Sequence, residues 1–267
     1  MDRKLLITAL FTLLIIMALT VILVRHFFER RDLPAWTKTL AIAHRGLHNT
    51  TDAPENSLAA FQEALKHGYA MEFDVMLSQD NEVVVFHDDT LQRMTGVSGR
   101  VDATPLKTLK TVTLAATSQT IPTLKELLNT INGHVPLYVE IKKDGPAGVL
   151  EEKVAELLDQ YGGPFIILSF NTPTLLWFQK QRPHFFRAQN VDLVPGNILK
   201  NVVLMITHAY KANPDLVIYD GTLLPRHLSK AFSKYIIPVT AYNVKSLEDV
   251  SHFQDHAHNI IFDHIKP

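Results

Sequence analysis

The chain has 267 residues, with 26 Lys and Arg against 27 Asp and Glu, a net charge of −1 and 46% hydrophobic residues. So balanced a chain has no field to gather a polyanion, and no basic run is interleaved with aromatics, so nucleic-acid binding is not expected. It has no cysteine, which excludes disulfides and thiolate metal sites.

Residues 5–24 read LLITALFTLLIIMALTVILV, without a charge. At about 1.5 Å rise per residue, such a helix spans a hydrocarbon core of about 30 Å. The run exceeds a signal-peptide core of about 7–15 residues, and no small-x-small cleavage site follows it. Thr8, Thr12 and Thr20 give too little polar face for a core helix. A single uncleaved N-terminal transmembrane helix is therefore expected, with residues 1–31 as membrane anchor and linker of a single-pass membrane protein. Arg3 and Lys4 precede it and Arg25, Arg30 and Arg31 follow it, so the positive-inside rule leaves both orientations open. Pro34 marks a linker running on to Lys38, in which Trp36 meets either the membrane interface or local packing.

Residues 40–267 read as one domain. Strands are predicted at 40–43, 69–75, 82–87, 136–141, 164–169, 185–189, 215–219, 236–241 and 259–262. Helices are predicted at 56–67, 122–132, 148–161, 172–181, 198–212, 225–234 and 245–253. Start signals precede several of them: Asn56-Ser57, Pro122-Thr123, Thr172-Pro173 and Ser246. Apolar strands alternating with helices imply a covered parallel sheet, either a (β/α)8 barrel or an open doubly wound sheet.

Charged residues collect at strand ends. His44 closes the first strand, Glu72 and Asp74 lie on the second, His87 ends the next, and Glu140 and Lys142 follow on the one after. Residues two apart on a strand share a face, so Glu72 and Asp74 project together, as do Glu140 and Lys142. Two carboxylates on one face of a buried strand repel and resist desolvation, and a cation between them removes both problems. Oxygen donors without thiolates suit a hard divalent cation, Mg²⁺ or Ca²⁺.

The block His44-Arg45-Gly46, Pro54-Glu55-Asn56-Ser57, Glu72-Phe73-Asp74 and Phe86-His87-Asp88, continuing through Leu91, Arg93, Thr95 and Gly99, resembles the glycerophosphodiester phosphodiesterase family. Ile121-Pro122-Thr123-Leu124 and Ile261-Phe262-Asp263 extend the resemblance over roughly residues 40–267. It implies a TIM-type barrel, with working residues at the C-terminal ends of the strands. It also implies that Glu72, Asp74 and Glu140 are metal ligands. Arg45 and Lys142 would hold the phosphate, by a planar fork and a point charge respectively. Glu55 would orient Arg45 or complete the metal shell, and Asn56 is equally read as a helix cap.

His44 and His87 are expected as the acid–base pair, since imidazole exchanges protons near neutrality. The expected reaction is metal-dependent hydrolysis of glycerophosphodiesters to glycerol 3-phosphate and an alcohol. The anchor raises a second expectation, a lysophospholipase D-like enzyme acting on membrane lysophospholipids, and a silent membrane-tethered binding protein is a third. The remaining histidines are read as structural. One departure from the family pattern is Val239-Thr240-Ala241-Tyr242-Asn243-Val244, where the family often carries a Trp, and it bears on substrate preference.

Overall fold

The structure, a computed structural model, describes residues 31–267 together with Thr12 and Ile15. Among these described residues no helix is long and apolar enough to cross a membrane. The expected anchor at 5–24 lies, but for Thr12 and Ile15, outside them.

Among the described residues nine strands form: β1 (Ile42–Ala43), β2 (Ala70–Leu77), β3 (Val83–Val85), β4 (Leu137–Ile141), β5 (Phe165–Ser169), β6 (Phe186–Val191), β7 (Leu216–Asp220), β8 (Val239–Val244) and β9 (Asn259–Phe262). Eight of them pair in parallel, and β1 closes the ring by bonding both β9 and β2. This is a (β/α)8 barrel. Period-two alternation divides its residues. Met71, Phe73, Val75, Leu137, Val139 and Ile167 face the surrounding helices, whereas Ile42, Ala70, Tyr138, Ile166 and Leu216 fill the interior.

One predicted strand has a different place. The segment at 82–87 was expected to be a barrel strand ending in His87, but β3 runs antiparallel to β2 and pairs with no other strand. The reason is the short link. Parallel neighbours need a crossover of about a dozen residues, and only residues 78–82 separate β2 from β3. A tight turn serves instead, with Asn81 at φ 59° and the Ser78 N–H donating to the Glu82 carbonyl at 2.9 Å. The excursion then runs through short helices at Gln92–Thr95 and Leu106–Leu109 around its own apolar cluster, which includes Phe86, Leu91, Met94 and Leu114.

Residues 31–39 belong to the barrel's packing. Trp36 meets the Tyr138 ring edge-on at 6.0 Å, and Leu33, Trp36 and Leu40 pack on the interior cluster, closing the barrel's lower end. Trp36 therefore has the packing role of the two considered.

Candidate active site

The upper interior layer is polar. Register sets Asp74 beside Glu140, and Glu72 beside Tyr138 one layer below. One oxygen each from Glu72, Asp74 and Glu140 lies within 4.8 Å of the others, and all three residues are buried. Burial, with Asp74 and Glu140 close by, pushes the Glu72 carboxyl well above its usual range. Burial and Asp74 raise Glu140 to about 7. Burial opposes ionisation of Asp74 too, but Lys142 and Arg45 outweigh it and hold Asp74 below its ordinary value.

Two cations flank the trio. Lys142 Nζ lies 2.9 Å from Glu140 Oε1 and 3.5 Å from Asp74 Oδ1, and Arg45 Nε lies 3.3 Å from Asp74 Oδ2. With all three carboxylates ionised, the five groups carry one net negative charge. That balance repels an anionic ester, and a divalent cation would turn it to one net positive charge. Three buried oxygen donors without sulfur therefore fit a hard divalent ion in both donor type and charge.

The loop after β1 is set by backbone conformation. Arg45 and Gly46 are left-handed, at φ 53° and 80°. A Cβ on Gly46 would lie 2.9 Å from the Ala60 carbonyl carbon, so only glycine seats this turn against the helix Leu58–Lys66. The Arg45 N–H donates to Glu72 Oε2 at 3.1 Å, and its Nη1 to Glu55 Oε1 at 2.7 Å. Asn56 is not the helix cap. Ser57 takes that position, accepting the Ala60 N–H at 3.1 Å, while the buried Asn56 donates from Nδ2 to Asp74 Oδ2 at 2.9 Å.

His87 reaches the mouth because β3 turns back: the Phe86 N–H donates to the Asp74 carbonyl at 3.0 Å. Its Nδ1 lies 2.6 Å from Asp88 Oδ1. Arg93 then grips both Asp88 (Nε to Oδ2, 2.5 Å) and Glu55 (Nη2 to Oε1, 2.7 Å), so one ionic chain links His87 to Arg45. His44 lies across the mouth, Nδ1 3.6 Å from Asp263 Oδ2 and Nε2 3.9 Å from Glu72 Oε2. Burial lowers the His44 pKa. Burial also disfavours the Asp263 carboxylate, but His44 and His48 hold its pKa well below the usual range.

All eight residues singled out in the sequence thus gather at one mouth. His44, Arg45, Glu72, Asp74, His87, Glu140 and Lys142 line a cavity of about 260 Å³, completed by Leu168, Phe170, Asn190, Ile218, Tyr242, Asn243 and Ile261. Glu55 stands behind Arg45. A larger hollow of about 490 Å³ around Lys125, Asn132 and Tyr161 has no carboxylate or histidine in its lining.

Sequence reasoning assigned no role to several supporting groups. Asn190 donates to Glu140 Oε2 at 2.9 Å, and Asn243 to Asp263 Oδ2 at 3.0 Å. His48, read as structural, places Nε2 2.7 Å from Asp263 Oδ1. The signal for Asp263 was available: it stands two residues after the inward-facing Ile261. The C-terminal histidines do not converge on one point. His258 bonds Thr37, His264 packs on His48, and His252 packs on His256.

Buried carboxylates interleaved with cations at the mouth of a parallel barrel suit metal-assisted chemistry on an anionic substrate. Residues 44–192, more than half of the chain, match the family model of the glycerophosphoryl diester phosphodiesterase family. A candidate glycerophosphodiester phosphodiesterase of Bacillus subtilis is 29% identical over 226 residues, 80% of this chain and 89% of that protein. A glycerophosphodiester phosphodiesterase of Caldanaerobacter subterraneus is 35% identical over 162 residues, 55% of this chain and 64% of that one. Among solved structures, an Oleispira antarctica phosphodiesterase in complex with its product sn-glycerol-3-phosphate has a TM-score of 0.71 at 27% identity, over 84% of this chain and 92% of the other. The chain belongs to the glycerophosphoryl diester phosphodiesterase family and is a phosphoric diester hydrolase of that kind.

Proposed function

We propose that this enzyme hydrolyses glycerophosphodiesters to glycerol 3-phosphate and an alcohol, through Glu72, Asp74 and Glu140 as ligands of a Mg²⁺ or Ca²⁺ ion and His44 and His87 as the acid–base pair. The observation that carries this reading is the buried carboxylate trio, flanked by Arg45 and Lys142 and faced by two histidines that each have a carboxylate at Nδ1. A bound divalent ion supplies Lewis-acid stabilisation of charge on the phosphorus oxygens. Arg45 and Lys142 bind the remaining phosphate oxygens, and Glu55 keeps the Arg45 guanidinium aimed. Each histidine keeps Nε2 for the substrate, one removing a proton from the attacking oxygen and the other protonating the leaving alkoxide.

Residues 5–24 anchor the enzyme in a membrane, on the strength of their length and lack of charge. The apolar half of the mouth, with Leu168, Phe170, Ile218 and Ile261, favours a second substrate class, lysophospholipids, whose glycerol carries an acyl chain. The test is release of glycerol 3-phosphate by the full chain in detergent, from glycerophosphocholine and other soluble diesters, with chelator and then each cation restored. Activity abolished by chelator and returned by one cation supports the reading. Lysophosphatidate and choline released from lysophosphatidylcholine, with the soluble diesters left intact, select the second class, and no turnover of any diester overturns both.

A further inference from the structure

The helix Ile198–Lys211 joins β6 to β7 and packs against both strands. Met205 and Ala209 give it a buried face. Its outer face is apolar as well. Leu199 is 77% exposed, Val203 55%, Ile198 51% and Ile206 38%. Leu199, Val203 and Ile206 follow the i, i+4, i+7 spacing of a single stripe. Scattered exposed leucines need no explanation, but an unpartnered stripe does.

The helices around the stripe carry charge of one sign. This helix and its two neighbours, Thr172–Gln181 and Arg226–Ala231 with its continuation Phe232–Ile236, carry Lys180, Lys200, Lys211, Arg226, Lys230 and Lys234 and no Asp or Glu. Arg226 pairs with Asp255 of another helix. The chain as a whole has a net charge of −1, so this side is basic against a slightly acidic background. An apolar stripe rimmed by lysines is the pattern of a helix lying on anionic headgroups.

The continuously described stretch begins, at Arg31, on the same side. Arg31 donates to both Asp215 oxygens and to the Pro183 and Phe185 carbonyls, and its guanidinium lies 4.5 Å over the Phe186 ring. These groups form the base of β6 and β7, beneath the helix Ile198–Lys211. Val24 and Arg31 are seven Cα-to-Cα steps apart. At about 3.3–3.6 Å each, these steps reach no more than about 25 Å.

We infer that the face carrying Leu199, Val203 and Ile206 docks on an anionic lipid surface. This inference rests on the proposed anchor. The barrel then lies with this side against the bilayer, and the end of the helix nearest the mouth sits at the headgroups.

The test exploits the lack of cysteine. The full chain carries a single nitroxide label, attached through L199C, V203C or Q62C, in vesicles of equimolar phosphatidylcholine and phosphatidylglycerol. Gln62 lies on the helix Leu58–Lys66 between β1 and β2, across the barrel from the docking face. At positions 199 and 203, relaxation by lipid-soluble oxygen should exceed that by a water-soluble nickel chelate, with the order reversed at 62. Alkaline washing of the vesicles reads the anchor separately. Labels at 199 and 203 that see water while the chain resists the wash overturn the docking face and leave the anchor standing. A chain that washes off although its labels saw lipid overturns the anchor alone. Spin–spin broadening between copies assigns the face to a second copy and overturns the inference, as does a label shielded from both reagents, which means protein covers it. The L199E/V203E variant should lose lipid contact at an I206C label while keeping wild-type turnover of glycerophosphocholine.

Discussion

Asp263 Oδ2 lies 3.6 Å from His44 Nδ1, across the seam where β9 closes on β1. The registered pair just below is Ala43 with Phe262, so closure of the barrel itself brings the carboxylate to the imidazole. His48 and Asn243 hold the other sides of Asp263. The acid then fixes the His44 ring so that Nε2 faces the carboxylate trio.

This relationship can be tested by a mutant cycle. H44A should lower kcat by about 10²–10⁴, the usual contribution of one general acid or base. D263N should lower kcat by less, with KM little changed, because it removes the group that orients the imidazole and leaves the imidazole itself in place. In the H44A background, D263N should then cost almost nothing. Additive losses would instead assign Asp263 a purely structural role.

A second prediction concerns acid stability. The hydrogen bond from Arg93, with Arg45 close by, holds Glu55 at about 2 against its burial, and Arg93 and His87 hold Asp88 at about 2. Both values lie below those of the unfolded chain, about 4.3 and 3.9. The folded state therefore gains stability from these groups above about pH 4–5 and loses it as pH falls toward 2. R93Q leaves Asp88 and Glu55 without their shared partner, so its acid-unfolding midpoint should move to higher pH, as read by circular dichroism. An unchanged midpoint would mean that the ionic chain contributes nothing to folding.

Much of this site could be read in the sequence, because strand geometry is local. Glu72 and Asp74 share a face by period alone, and all nine strand segments were visible as short apolar runs. The placement of β3 was not, since an apolar run does not state whether its strand runs with or against its neighbour. The five-residue link held that information. The supporting shell was hidden for a different reason. Asp263 and His44 are 219 positions apart, and only barrel closure makes them neighbours. Asn56 was obscured by Ser57, because two adjacent polar residues both suit a cap and only the folded loop assigns the role.

A third prediction follows from charge in the trio. Ligands that bind only the folded state stabilise it by about 2.7 kcal/mol at a hundredfold excess over Kd. For a domain of this size that corresponds to a Tm rise of about 5–10 °C. Calorimetry of the full chain in detergent should show such a rise on replacing EDTA with the preferred cation. E140Q, which keeps the side chain's size but removes a charged donor, should abolish most of it. Equal shifts in wild type and E140Q would place the ion elsewhere.

The last prediction separates backbone strain from steric clash at the first loop. Gly46 and Gly68 have similar left-handed conformations, φ 80° and 71°. Their surroundings differ. Nothing lies within 4 Å of a Cβ built on Gly68, whereas one on Gly46 meets the Ala60 backbone at 2.9 Å. A left-handed alanine costs about 1–2 kcal/mol at either position. Crowding at Gly46 adds about 1–3 kcal/mol, because a helix backbone cannot turn aside as a side chain can. G68A should therefore lower Tm modestly and leave kcat intact. G46A should lower Tm further and also reduce kcat, because the turn it distorts carries His44 and Arg45 into the mouth. Equal losses from the two substitutions would mean that the loop yields without cost, and that its hold on the helix does not position His44.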